Sequence, residues 1–138
     1  MKLFLDTDVI LDCVLARPGF VEDATEILNL CEVSGLEGIT STLVLANCHY
    51  VFSRQETARK SREVIARLRA LLGVCPVGDR ELGEALVSKF KDLEDGIQYF
   101  TALNNGADVI VTRNIRDYKS STLPVMRPRE FLLSQTKK

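Results

Sequence analysis

Three aspartates carry the chemical interest of this 138-residue chain: Asp6, Asp95 and Asp117. Asp6 directly follows the apolar run Leu3-Phe4-Leu5, with Asp8 two residues on. A carboxylate set against a buried strand is costly to desolvate without a partner, so Asp6 reads as functional rather than incidental. Asp95 falls near the start of an apolar-periodic stretch, just after Asp92 and Glu94. Asp117 follows Thr112-Arg113-Asn114, which ends the apolar run Val109-Ile110-Val111. Clustered carboxylates repel, and a divalent cation makes such a cluster tolerable. Hard oxygen donors with no nearby His or Cys suit Mg²⁺ or Mn²⁺ rather than zinc. Such an ion bridges phosphoryl oxygens and activates water, so the expected substrate is a phosphate ester. An aspartate at a helix start is more often only a cap; that is the ordinary reading of Asp79 and competes for Asp92.

The elements that must position these acids can be read from the apolar spacing. Leu3–Leu5, Glu37–Thr40, Val74–Val77, Asp108–Thr112 and Leu123–Met126 read as short strands. Helices are expected at about 9–15, 21–33, 41–52, 56–72, from Asp79, at 93–105 and from Pro128. In the helix from Asp79, Leu82, Leu86 and Phe90 are expected inside. Continuous apolar strands alternating with helices point to a parallel sheet covered on both faces. Sites in such sheets form at the carboxyl ends of the strands, where Asp6, Thr40, Ser41 and Thr112 emerge. The expectation is one α/β domain over residues 1–138.

Composition fits this. Apolar residues are 46% and charged residues 27%, ordinary globular values that exclude a disordered tail or a collagen-like chain. The net charge of −1 does not announce nucleic acid, so any such affinity must come from a local patch. No apolar run reaches membrane-span length, and the two early aspartates spoil LFLDTDVILDCVLA as a signal-peptide core. Cys13, Cys31, Cys48 and Cys75 have no zinc-knuckle spacing and sit in apolar stretches. Buried free thiols in a reducing cytoplasm are expected.

LFLDTDVILD, DLEDGIQYFTAL and DVIVTRNIRDY together resemble the PIN-domain nucleases, a family that includes the VapC-type toxins. The resemblance runs from residue 3 to the PREFL segment, and the TRN strand end followed by Asp117 is its most specific part. It implies a three-layer α/β/α, Rossmann-like fold with a mostly parallel central sheet. It also implies Mg²⁺- or Mn²⁺-dependent cleavage of RNA. By position, Asp6, Asp95 and Asp117 match the family's catalytic, metal-binding acids. Thr112 and Asn114 match its supporting polar positions.

One position departs from the pattern. Where the family places a glutamate on the helix after the second strand, this chain has Asn47. An amide oxygen can ligate, but it brings no charge. Three readings stand open: Asp8, Asp92 or Glu94 restores the charge, the enzyme works with a weaker site, or the domain only binds. The only histidine, His49, lies at i+2 from Asn47, faces elsewhere and reads as structural.

Cations should guide a polyanion to an acidic edge. Arg113, Arg116 and Lys119 share the loop of Asn114 and Asp117 and are the RNA-binding candidates. Arg59, Arg62 and Arg69 form a basic stripe, for which a solvated helix face is the ordinary reading. Tyr118 reads as a base-stacking residue or as an anchor of that loop. Two alternatives compete with the ribonuclease. One is a haloacid-dehalogenase-like phosphatase with Asp6 as nucleophile, although the late strand ends in TRN rather than that family's paired acids. The other is a degenerate PIN domain serving as an RNA- or protein-binding module. The toxin reading implies an antitoxin partner, and the family commonly forms homodimers, with helices 21–33 and 41–52 as contact candidates.

Overall fold

The computed structural model describes residues 1–136. Five strands form one sheet: β1 (Lys2–Leu5), β2 (Glu37–Ser41), β3 (Gly73–Cys75), β4 (Val109–Val111) and β5 (Val125–Met126). Their order is β3-β2-β1-β4-β5 and every pairing is parallel. Leu3, Phe4 and Leu5 are each fully buried, as are Ile110 and Val111. Successive strand residues point to opposite faces, so this continuous burial requires cover on both sides. The helices are α1 (Thr7–Val14), α2 (Val21–Val33), α3 (Thr42–Gln55), α4 (Ala58–Leu71), α5 (Asp79–Leu86), α6 (Leu93–Asn104) and α7 (Pro128–Thr136). Helix α1 packs on α2 and α3, α3 on α4, and α5 on α6, which gives three layers, α/β/α. Among the described residues no helix is long and apolar enough to cross a membrane.

The topology decides where a site can form. From β1 the chain runs outward to β2 and β3, then returns to the other side of β1 for β4 and β5. The register pairs Leu5 with Val111, so Asp6 and Thr112 leave neighbouring strands at the same level. This is the reversal point beside which open parallel sheets bind their ligands.

Local sequence explains the joints. Asn105 ends α6 and Gly106 follows at φ 75°, the left-handed position that glycine takes without strain. Gly38 admits α2 and Leu72 close to β2: a Cβ there would lie 2.7 Å from Cys31 Sγ and 2.8 Å from Leu72. Leu82 and Leu86 correct the expected inner face, because they are 37% and 64% exposed. Helix α5 is only eight residues long, and its buried side is Glu81 and Ala85. Asp79 does not cap it either. Gly78 precedes the helix, and Glu81 Oε1 accepts the Gly78 N–H at 3.1 Å. The stretch 115–118, expected as loop, is a 3₁₀ turn. All four cysteines are free, with Cys48 and Cys75 buried and Cys13 and Cys31 half-buried.

Candidate active site

The first acid is fixed by the chain's most distant parts. Asp6 is buried, and its Oδ1 accepts the Thr7 N–H at 2.8 Å. Its Oδ2 accepts the hydroxyls of Thr112 at 2.9 Å and Tyr118 at 3.1 Å. Three of about four acceptor positions on this carboxylate are therefore taken and one remains. Tyr118 is 1% exposed, which makes it the anchor of its loop rather than a base-stacking residue.

Asp8 stands in the first turn of α1. Its Oδ2 accepts the Arg113 backbone N–H at 3.0 Å and Asn114 Nδ2 at 3.1 Å, and the Thr112 hydroxyl lies 3.3 Å away. That hydroxyl has one proton for two carboxylates, so Asp6 and Asp8 compete for it. Asp8 Oδ1 is buried with no partner, an orphaned anionic oxygen. Such an atom requires an explanation.

A cleft of about 200 Å³ opens at this point. Asp6, Asp8, Glu94, Asp95, Asn114 and Asp117 line it, joined by Arg17. Helix α6 contributes Asp95 because Asp92 caps it, with Asp92 Oδ1 accepting the Asp95 N–H at 2.9 Å. Asp92 is thus a cap, as the ordinary reading has it, and its charge also acts on Asp95. Asn47 on α3 donates from Nδ2 to Glu94 Oε1 at 2.7 Å. The amide meets Glu94 through its nitrogen, and a carboxylate stands beside the position where the family pattern has one.

The electrostatics are those of uncompensated negative charge. Burial, reinforced by Asp92, Asp6, Asp117 and Glu94, pushes Asp95 up to about 7. Burial and the neighbouring Asp6 push Asp8 up to about 6. Asp6 is raised mainly by burial, against its hydrogen bonds. Among the described residues no three His, Cys, Asp or Glu side chains are drawn tightly around one point. The acids share a cleft rather than a finished coordination sphere. That donor set still fits Mg²⁺ or Mn²⁺, because the smaller ion usually takes one or two carboxylates and completes its octahedron with waters and substrate phosphates. The orphaned Asp8 oxygen is the second sign of fit.

This predicts how stability responds to pH in chelator. Asp95 titrates near 7 when folded but at the ordinary carboxylate value of 3.8 when unfolded. Between those values the native state holds the extra proton, so acidification favours folding and rising pH through 7 removes that contribution. The midpoint of thermal unfolding should be higher at pH 5 than at pH 7. Asp95→Asn should raise the pH 7 midpoint and narrow the gap. A variant less stable than wild type at pH 7 would contradict this.

Arg113, expected to touch RNA, is placed elsewhere. Its Nε and Nη2 donate to Asp12 at 2.6 and 3.0 Å, and its guanidinium lies 3.9 Å over the Phe20 ring. Asp12 itself is fully buried. Sequence reading missed Asp12, although it sits at i+4 from Asp8 on one helix face. Arg116 and Lys119 line a second cavity beside the cleft. His49 Nδ1 lies 2.7 Å from Ser61 Oγ, a structural contact between α3 and α4. Within the stripe on α4, Arg59 pairs with Glu63, while Arg62 and Arg69 border an apolar groove with α3.

Fold and site together define a three-layer α/β/α domain with an acidic cleft where its parallel sheet reverses order. The chain belongs to the PIN domain family, whose profile matches residues 2–116. It is 26% identical over 135 residues to a protein named ribonuclease VapC1 of Aquifex aeolicus (strain VF5), covering 94% of this chain and 92% of that one. Among solved structures it resembles VapBC-1 of nontypeable Haemophilus influenzae, with TM-score 0.69 and 16% identity over 94% of this chain and 99% of that chain. It also resembles VapC20 of Mycobacterium tuberculosis, described as a sarcin–ricin loop cleaving toxin. There the TM-score is 0.63 and the identity 18%, over 78% of this chain and 86% of that chain. Family membership sets aside the phosphatase reading.

Proposed function

We propose that this protein is a Mg²⁺- or Mn²⁺-dependent endoribonuclease acting at the Asp6–Asp95–Asp117 cleft, and that it is the toxin of a toxin–antitoxin pair. The observation that carries the reading is the convergence of these acids, from three separate elements, on one cleft at the reversal point of a PIN-domain sheet. The relative named as a ribonuclease and the solved VapBC complexes support the substrate class and the partner.

A bound divalent ion would polarise the scissile phosphate and make a water nucleophilic at neutral pH. Asp6, Asp95 and Asp117 would hold it. The chain's own contributions are distinct. Thr112 and Tyr118 hold Asp6 in one rotamer, so the first ligand is preorganised. Asn114 and the Arg113 N–H hold Asp8 beside it, with Asp8 Oδ1 left free. No histidine serves as base, since His49 faces Ser61.

The binding-only alternative drew on the charge missing at Asn47. Glu94 supplies a carboxylate 2.7 Å from that amide and lines the same cleft. Asn47 then acts as a positioning residue for Glu94. Glu94→Gln should leave the fold unchanged and raise the Mn²⁺ concentration for half-maximal binding about tenfold, within the range for supporting residues of metal sites. Calorimetric titration with Mn²⁺ reads this directly, and an unchanged affinity would remove Glu94 from the site.

The test of function is incubation of purified protein with structured and unstructured RNAs, with Mg²⁺, Mn²⁺ or chelator. Internal cleavage that needs the metal is expected. RNA binding without cleavage across the metal series would favour the binding module instead.

A further inference from the structure

The acidic cleft has a neighbour richer in cations. A cavity of about 370 Å³ adjoins it and shares Asp95 and Asp117 as a common wall. Lys89, Lys91, Arg116 and Lys119 line its rim, together with Asp92, Ser120 and the Phe90 ring. The cations come from two places far apart in sequence: the turn between α5 and α6, and the 3₁₀ turn and its exit after β4. Among the described residues none of the four forms a salt bridge. Most other cations among the described residues do, including Arg59, Arg80, Arg113 and Arg129. Four cations, none held in an ion pair, outnumber the three carboxylates of Asp92, Asp95 and Asp117 around this concavity, and that excess suits an anion.

Phe90 makes that anion a nucleotide rather than a bare phosphate. Its ring is half-buried and backed by Tyr99 at 4.9 Å and Tyr118 at 6.2 Å between centroids. It is therefore held in place without being hidden. A fixed aromatic ring beside cations is what single-stranded RNA uses for stacking and backbone contact. The volume lies in the range of sites for small ligands.

We infer that this cavity is a subsite for the nucleotide next to the scissile phosphate. Lys89, Lys91, Arg116 and Lys119 contact its flanking phosphates, and Phe90 lies against its base. This rests on the nuclease reading and extends it. The shared wall gives the geometry: a strand whose phosphate sits at Asp95 and Asp117 must pass into the adjoining cavity. It also explains how an acidic cleft in a chain of net charge −1 can attract a polyanion.

The test reads binding without catalysis. Anisotropy of a labelled single-stranded RNA oligonucleotide is measured in chelator over a salt series. The Lys89→Glu/Lys91→Glu double variant should weaken binding at least tenfold at low salt. Its salt dependence should also flatten by about 0.7 in logarithmic slope for each phosphate that the protein no longer neutralises. The control is Arg62→Glu/Arg69→Glu on α4, with the same change in net charge on a different face. Phe90→Ala should weaken binding with the salt slope unchanged; should it fail to fold, the lysine pair still decides. Equal losses of affinity in both charge-reversed variants, or no loss at Lys89/Lys91, would overturn the subsite. So would an acidic peptide binding there in place of RNA. Because no metal is present in the assay, wild-type protein that binds as expected yet cleaves nothing would refute the nuclease and not the RNA contact.

Discussion

Replacing Asp6 with asparagine is expected to lower metal-dependent RNA cleavage by about a hundredfold or more. Residues that only support metal ligands typically cost ten- to a hundredfold, and Asp6 is proposed as a ligand itself. Asparagine is the informative choice because its oxygen can keep the Thr112 and Tyr118 hydroxyls as donors. Its NH₂ then faces the Thr7 N–H, which loses its acceptor. Against that loss stands relief from burying a charge at a position where burial raises the carboxyl. The two effects oppose, and stability should stay within about 1 kcal/mol of wild type. Alanine would instead leave two buried hydroxyls unpartnered and confuse folding with catalysis. Turnover assayed alongside thermal melting separates these effects. Cleavage that survives Asp6→Asn unchanged belongs to another site or another protein.

The second large effect concerns stability rather than chemistry. Arg113→Ala should destabilise the fold by about 3–5 kcal/mol, the usual consequence of leaving a buried charge without its partner. Asp12 is fully buried and takes two short bonds from Arg113, whereas Arg17 reaches it only at 3.4 Å. For a chain of this length that corresponds to a fall of roughly 10 °C or more in the unfolding midpoint. Replacing both partners together, as Asp12→Leu/Arg113→Met, should recover most of the loss, because the remaining penalty is one of packing. If the Arg113→Ala variant instead melts like wild type, Arg17 suffices for Asp12. The same measurement separates Arg113 from Arg116 and Lys119. Its removal should show in the melt, whereas removal of those two should show in RNA affinity.

The strand and helix order was legible because the determinants are local. Short apolar runs alternate with stretches of 3.6-residue periodicity, and the runs Leu3–Leu5 and Val109–Val111 lead directly into Asp6 and Thr112. The meeting of Asp6 with Thr112 was legible for a related reason: parallel sheets present strand ends on one edge. What stayed hidden depends on loop paths and on pairing between distant segments. Nothing local distinguishes Asp12 from an ordinary helix-face aspartate until Arg113 is seen over it. Leu82 and Leu86 have core periodicity, yet an eight-residue helix packed only along Glu81 and Ala85 leaves them outside. Lys89, Phe90 and Lys91 form an ordinary triplet in sequence and acquire meaning only beside Arg116 and Lys119. Asn47 marked a departure without showing its remedy, since Glu94 lies 47 positions away.

The ties on Asp6 bear on the order in which the cleft is assembled during synthesis. Thr112 and Tyr118 lie 106 and 112 positions downstream of the carboxylate they hold. A nascent polypeptide in which residues 109–118 are not yet made has neither clamp, nor β4, nor the acid at position 117. The carboxylate of Asp6 therefore gains its two hydroxyl donors only after those residues have left the ribosome, long after α1 has been made.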